Sequence, residues 1–167
     1  NQTKNFTLIL ELNIEQFKNF LIESSKKEMS ISYYGRRRPA IWNKNTFNII
    51  RKSNCNVISK SKIMEKNHEI EVKKITEKYL KIINEILEEK ILEDYFNIFD
   101  ICIWSIVKKK IKELMEPRLK LAIEEIILGE NLLKKNKPKT IIMISEAGRS
   151  EQIISTLAKK YGNIDIL

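Results

Sequence analysis

The fold is decided by the sequence KPKTIIMISEAGRSEQIISTLAKKYGNIDIL, which covers residues 137–167. An apolar run from Ile141 to Ile144 ends in the polar turn of residues 145–150. A helical pattern follows until Gly162, and a second apolar run begins at Ile164. This succession predicts a strand, a loop, a helix and another strand, which is the repeating unit of a parallel sheet covered by helices.

The first part of the chain repeats this alternation, and the middle interrupts it. Apolar runs at residues 7–12 and 55–59, together with a period-two alternation at residues 29–34, predict three strands with helices between them. Residues 65–136 instead show helical spacing, with Pro117 predicted to break or kink a helix. The apolar residues Trp104, Ile111 and Leu114 are predicted to lie in the core and not in a binding groove. We therefore predict a single α/β domain over residues 1–167. It would be a Rossmann-like parallel sheet flanked by helices, with a helical insertion at about 65–136 between the third and fourth strands.

The composition limits the class of protein. The chain has 167 residues, of which 43% are hydrophobic and 32% charged, which is typical of a soluble globular domain. No apolar run approaches the roughly 20 residues of a membrane span, and no signal peptide is visible, so we expect a cytoplasmic protein. Cys55 and Cys102 are predicted to be buried free thiols. With His68 as the only histidine, a zinc site of usual composition is not expected.

The charge balance is strongly basic. The chain carries 31 Lys and Arg against 22 Asp and Glu, a formal net charge of +9. This excess favours an anionic partner such as phosphate groups, nucleic acid or the inner leaflet of a membrane. The alternative is a lysine-rich surface that only maintains solubility, because most lysines alternate with glutamates as on solvated helix faces.

The polar turn after the apolar run is the first candidate site. Gly148 is predicted to be the N-cap of the following helix, with Glu151 at the third helical position. Glu146, Arg149 and Ser150 are then available to a ligand beside the helix N-terminus, which suits a phosphate or carboxylate. Glu146 could accept a sugar hydroxyl or act as a base. The alternative is a well-capped turn without a ligand, and one glycine is no dinucleotide fingerprint, so no cofactor is predicted.

The second candidate site is the loop after the second predicted strand. Arg36, Arg37 and Arg38 lie there, at what should be the same edge of the sheet as the polar turn. Arginine side chains bind phosphates in a bidentate manner, and Trp42 offers a stacking face for a sugar or base. The alternative is that the arginines are only solvated and that Trp42 anchors the next helix in the core.

The chain also resembles a known family. A helical stretch with Trp104 is followed by a long helix, the tripeptide KPK, an apolar strand and the motif SEAGRSEQIISTLAKKYG. This order is similar to the N-terminal half of GT-B-type glycosyltransferase-like proteins of surface-polysaccharide and cell-wall synthesis. The resemblance covers residues 98–167 by motif and the remainder by the alternation of elements.

The resemblance implies a two-domain enzyme of which residues 1–167 form the acceptor-side domain. A C-terminal domain beyond Leu167 would bind the nucleotide-sugar donor, so residues 1–167 alone are not expected to be active. Glu146 would face the cleft as a catalytic base, beside Arg149. The implied acceptor is a sugar or a phospholipid-linked group, with peripheral contact at the inner membrane face, and a homo-oligomer is a further expectation. The alternative is a basic α/β module for nucleic-acid binding or for oligomerisation, without catalysis.

Overall fold

The chain divides into two compact units. The computed structural model describes residues 6–37, 39–99, 101–145 and 148–167. One unit, here called the sheet unit, comprises Asn1–Met64 and Leu128–Leu167. The other, here called the helical unit, comprises Glu65–Ile127.

The sheet unit alternates strands with helices. Its first segment contains β1 (Phe6–Leu10), α1 (Lys18–Lys26), β2 (Ser30–Tyr34), α2 (Lys44–Ser53), β3 (Asn56–Val57) and α3 (Lys60–Ile63). The helical unit contains α4 (His68–Leu87), α5 (Lys90–Tyr95), β4 (Asn97–Ile98), β5 (Ile101–Cys102) and most of α6 (Trp104–Asn136). The chain then returns to the sheet unit with β6 (Thr140–Ile142), α7 (Arg149–Tyr161) and β7 (Asp165–Ile166).

The main sheet has five strands in the order β3-β2-β1-β6-β7. Every neighbouring pair in it is parallel. The predicted α/β class, with a parallel sheet flanked by helices, is thereby confirmed. A long helix, α6, lies between the fifth and sixth strands of the chain.

Alternating side chains of the strands supply two cores, one on each face of the sheet. Leu8 and Ile141 pack in one cluster with Leu132 of α6 and Leu157 of α7. Ile9, the neighbour of Leu8, belongs to the other cluster, which includes residues of α1 and α2. Burial on both faces explains why β1 and β6 appear in the sequence as short continuous apolar runs.

Glycine allows close packing of α6 against α7. A Cβ atom at Gly129 would lie 3.0 Å from Cδ1 of Leu157. Gly162 ends α7 with φ of 65°, in the left-handed region that favours glycine. The chain then enters β7, so the predicted strand, loop, helix and strand of residues 137–167 is confirmed.

The helical unit is built on a hairpin of two helices, α4 and α6. Val72 of α4 packs with Ile123 and Ile127 of α6, and Glu88, just after α4, pairs with Lys108 and Lys112 of α6. The contacts pair late residues of one helix with early residues of the other, so the helices run antiparallel.

The insertion differs from the prediction in three respects. Pro117 lies inside α6, which continues through all 33 residues, so the predicted break is wrong. Proline removes one backbone N–H donor, and this position is exposed, where water can hydrate the carbonyl that loses its partner. Leu114, predicted to be core, is exposed, whereas Trp104 is buried. The antiparallel hairpin of β4 and β5 was not predicted, because its two-residue strands are too short to show a period.

The cysteines differ from each other. Cys55 is buried, as predicted, but Cys102 is exposed and that prediction is wrong. Cys102 lies on β5 of the small hairpin, where both strands are exposed, so its apolar neighbours in sequence do not cover it.

Across the ranges that the structure describes, none of the helices has both the length and the apolar character needed to cross a membrane.

Candidate functional site

Three loops meet at one edge of the main sheet. β1, β2 and β6 are parallel neighbours, so their carboxyl ends lie at the same edge. From β1 the chain proceeds to β2 on one side, whereas β6 lies on the other side of β1. The gap between β1 and β6 is thus the point at which strand order reverses, where open α/β sheets commonly bind ligands.

Glu11, directly after β1, fixes the start of the arginine loop. Its backbone N–H donates to the carbonyl oxygen of Tyr34 at 3.1 Å. Its Oε1 accepts the backbone N–H of Arg36 at 2.6 Å and that of Arg37 at 3.1 Å. Sequence reasoning missed Glu11, although an acidic residue directly after a buried strand was a usable signal.

The arginine loop reaches the first turn of α7. The Arg36 guanidinium donates through Nη1 to Oγ of Ser150 at 3.4 Å. The Arg37 guanidinium forms a salt bridge with Oε1 of Glu151. The two loops that the sequence assigned to one edge of the sheet are therefore in direct contact.

Glu151 is a buried carboxylate at the third position of α7. Gly148 is the N-cap, as predicted. A Cβ atom at Gly148 would lie only 2.1 Å from Oε2 of Glu151, so the glutamate side chain folds back over the glycine. That oxygen has no hydrogen-bond partner among the residues that the structure describes. The exposed N–H groups and the helix dipole favour a negative charge at this position.

The remaining predicted site residues are distributed as follows. Arg149 is the first residue of α7 and is exposed. Arg38 and the predicted base Glu146 lie outside the described residues. Trp42 is 43% exposed and its backbone N–H donates to Oγ1 of Thr46 at 3.1 Å. The alternative in which Trp42 anchors the next helix in the core is therefore wrong.

The loop after β1 also connects to the start of α2. Oε1 of Glu15 accepts the side-chain amides of Asn45 at 2.9 Å and of Asn43 at 3.1 Å. The hydrogen bond from Asn45, followed by that from Asn43, lowers the pKa of the Glu15 carboxyl below its ordinary value. These bonds hold two of the three loops in a defined position.

The chemistry of the cluster favours oxyanions. Arg36 presents a guanidinium next to the neutral hydroxyl of Ser150 in the first turn of α7. Glu11 and Glu151 hold the backbone of the arginine loop and the side chain of Arg37. Over residues 6–37, 39–99, 101–145 and 148–167, no three His, Cys, Asp or Glu side chains form a group that could hold a metal ion.

A separate groove lies at the opposite edge of the sheet, where α6 and α7 end. It has a volume of about 500 Å³. It is lined by Leu133, Lys134, Lys137, Pro138, Lys139, Tyr161, Gly162, Asn163 and Ile164. A hydrogen bond to Glu130 and the charge of that carboxylate raise the pKa of Lys134. The groove contributes no residue to the cluster around Arg36.

Comparisons with protein-family models, with curated proteins and with solved structures gave no significant match.

Proposed function

We propose that the sheet unit is a Rossmann-like, acceptor-side domain of a glycosyltransferase-like enzyme, and that Arg36, Ser150 and the start of α7 bind a phosphate group of its substrate. One observation carries the proposal. A guanidinium from the loop after β2 contacts the first turn of the helix after β6, at the point of strand-order reversal. The strand order, with β1 between β2 and β6, supports the Rossmann-like class.

The residues have distinct roles in this proposal. Arg36 neutralises phosphate charge and Ser150 contributes a hydroxyl. Arg37 is a positioning residue, because its guanidinium is held by the buried carboxylate of Glu151. Trp42, exposed at the start of α2, offers a stacking face to the acceptor.

The reaction is transfer of a sugar from a nucleotide donor to an acceptor hydroxyl. The hydroxyl oxygen attacks the anomeric carbon, and the bond from that carbon to the diphosphate oxygen breaks. The nucleoside diphosphate leaves with the bonding electrons, and Glu146 takes the hydroxyl proton. The donor would be held by a second domain. The proposal includes a cytoplasmic location with peripheral contact at the inner membrane face, where a phospholipid-linked acceptor would lie.

The anion site is tested by calorimetric titration of the chain with inorganic pyrophosphate and with farnesyl phosphate. Arg36→Ala should weaken binding roughly 10-fold, which corresponds to about 1.4 kcal/mol for one charge-assisted hydrogen bond. Arg36 is chosen over Arg37, because removal of Arg37 would leave the buried Glu151 carboxylate without its cation and would perturb folding.

Arg51 provides the matched control. It is an exposed arginine in the last turn of α2, at the opposite edge of the sheet, so Arg51→Ala should bind as the wild type does. Equal binding by Arg36→Ala and wild type would remove the anion site. Tight, strongly salt-dependent binding of an oligonucleotide, with no affinity for either phosphate, would favour the nucleic-acid-binding alternative.

The transferase step is tested on a protein that carries the second, donor-binding domain that the proposal requires. Such a protein is incubated with a panel of nucleotide sugars and farnesyl phosphate, and release of nucleoside diphosphate is measured. Glu146→Gln should lower the turnover rate by roughly 100-fold or more if this carboxylate is the general base. Wild-type turnover in Glu146→Gln would remove Glu146 from the mechanism.

A further inference from the structure

The basic excess of the chain belongs entirely to the sheet unit. Its two segments, Asn1–Met64 and Leu128–Leu167, carry 19 Lys and Arg against 8 Asp and Glu. The helical unit, Glu65–Ile127, carries 12 against 14. A basic excess confined to one unit favours an anionic partner for that unit.

Many of these basic residues lie at the edge of the sheet opposite the cluster around Arg36. The helices α1, α2, α6 and α7 each precede a strand of the main sheet, so their last turns lie where those strands begin. Each of the four helices has two consecutive basic residues in or next to its last turn. They occupy positions 26–27, 51–52, 134–135 and 159–160. All of them are exposed, so a basic edge extends across the sheet.

Helix dipoles account for only part of this arrangement. A cation in the last turn of a helix is favoured by the carbonyl groups exposed there. Lys137 and Lys139, however, lie beyond the end of α6, in the connection to β6, and both are exposed. Residues 130–139 and 159–165 together contain six lysines against two acidic residues. The lysines at this end of the edge therefore exceed what the helix ends require.

Several of these lysines line the groove at the ends of α6 and α7. Leu133 and Pro138 are buried and Ile164 is half-buried, so they form an apolar floor. The exposed side chains of the lining form the rim, namely Lys134, Lys137, Lys139, Tyr161 and Asn163. The volume of about 500 Å³ is within the range of ligand sites.

Lys134 is positioned at the rim by contacts that a partner can replace. Its ammonium pairs with Glu130, one helical turn earlier, at 3.0 Å. A further hydrogen bond joins it to Tyr161. An exposed ion pair of this kind is worth little, so the ammonium can turn to a carboxylate of a partner instead.

A recessed apolar floor below a lysine rim favours an acidic peptide over other polyanions. A bilayer takes up apolar side chains that protrude from a surface, whereas here they lie below the lysines. Single-stranded nucleic acid binds through stacked aromatic side chains and arginine, whereas the described residues that line the groove include one tyrosine and no arginine. A peptide can place an apolar side chain on the floor and carboxylates on the rim.

We propose that this groove docks an acidic segment of a partner protein, with a large apolar residue of the segment inserted between the ends of α6 and α7. The basic residues at the ends of α1 and α2 attract the partner along the same edge. The cluster around Arg36 stays accessible, because it lies at the other edge of the sheet. The docking site shares no residue with that cluster, so it stands or falls independently of the transferase proposal.

The apolar part of the proposal is tested by fluorescence anisotropy with two labelled peptides. The first is Glu-Glu-Asp-Leu-Phe-Asp-Glu-Glu, and the second has Ser-Ser in place of Leu-Phe at the same charge. The first should bind roughly 10-fold more tightly or better, because the groove removes its apolar side chains from water. Equal affinity for the two peptides, or no binding of either, overturns the proposal.

A charge reversal at the rim tests the location of the site. Lys137→Glu should weaken binding of the first peptide roughly 10-fold, because it places a carboxylate against the acidic segment. Lys18 provides the matched control. It is the exposed first residue of α1, at the other edge of the sheet, so Lys18→Glu changes the net charge equally and should bind as the wild type does. Equal losses in the two variants overturn the proposal, and circular dichroism checks that both are folded.

Two further probes distinguish the other polyanions. They are a labelled oligothymidine and vesicles of phosphatidylcholine with phosphatidylserine. Oligothymidine binding that is lost in Lys137→Glu, without affinity for either peptide, would replace the acidic segment by nucleic acid. The same result with vesicles would replace it by an anionic membrane surface.

Discussion

The sheet unit buries its large apolar side chains more completely than the helical unit does. In the sheet unit, Leu8, Leu132 and Ile141 are completely buried, because helices cover both faces of one sheet. In the helical unit, two main helices bury Val72, Ile123 and Ile127 between them and leave other large apolar side chains, such as Tyr79 and Leu121, exposed. The comparison shows that apolar periodicity predicts a helix and its packed side, but not how many sides the surrounding structure covers.

Paired leucine substitutions on α6 test the difference most directly, because this one helix passes through both units. Leu132 is 0% exposed in the sheet unit, and Leu121 is 40% exposed in the helical unit. Leu132→Ala should lower the free energy of unfolding by about 3 kcal/mol, since it leaves a cavity in a closed core. Leu121→Ala should cost less than about 1 kcal/mol. Urea unfolding measures both.

The helix propensities cancel in this pair, since both changes are leucine to alanine on one helix. Similar losses in the two variants would contradict the comparison and would mean that the Leu121 side chain is covered in solution.

Thiol reactivity gives a second large contrast. Burial raises the pKa of the Cys55 thiol in the sheet unit to about 12, whereas Cys102 in the helical unit is exposed. Only the thiolate reacts with disulfide reagents and iodoacetamide. Cys102 should therefore react roughly 100-fold or more faster than Cys55 in the native protein. Stopped-flow reaction with a chromogenic disulfide reports both phases.

The single variants assign the phases. Cys102→Ser should retain only the slow phase and Cys55→Ser only the fast one, and full denaturation should make the two thiols equivalent. A fast phase in Cys102→Ser would show that the core around Cys55 opens readily.

Much of the sheet unit could be predicted from the sequence, because its elements are short and bounded by clear signals. The apolar run before Ser145, the stop at Gly162 and the run after it defined β6, α7 and β7 correctly. The meeting of Arg36 with Ser150 also followed, since carboxyl ends of parallel strands share an edge. Glu11 was missed, because its role depends on backbone N–H groups of a loop distant in sequence.

The helical unit was predicted less well, for a physical reason. Exposure of Leu114 and Cys102 depends on which elements cover them, and this information is absent from local periodicity. The continuity of α6 through Pro117 was also not predicted. The local rule about the missing N–H predicts a break, but at this exposed position water can bind the carbonyl that loses its partner.

A smaller effect is expected at His68, the only histidine. It is buried in the helical unit, and neither ring nitrogen has a hydrogen-bond partner among the residues described by the structure. His68→Phe removes two buried polar atoms at similar volume, so it should leave stability unchanged or raise it by up to about 1 kcal/mol. Thr76→Val is the control. Oγ1 of Thr76 donates to the carbonyl oxygen of Val72 at 2.7 Å, so this variant should lower the free energy of unfolding. A marked loss of stability in His68→Phe would show that the ring nitrogens of His68 form hydrogen bonds in solution.

The smallest effects are expected at two surface carboxylates, one in each unit. Hydrogen bonds from Lys108, and then from Lys112, lower the pKa of Glu88 from its ordinary value of 4.5, whereas neutral amides lower that of Glu15. A lowered pKa in the folded state means that the charged carboxylate stabilises the fold. This contribution is complete well above pH 4.5 and is lost as the pH falls through the lowered pKa.

Glu88→Gln and Glu15→Gln should each reduce the acid-induced fall in melting temperature. Added salt should abolish the effect at Glu88, because charges are screened, and should spare the effect at Glu15. Equal salt sensitivity at both positions would show that the lysine contacts of Glu88 do not form in solution.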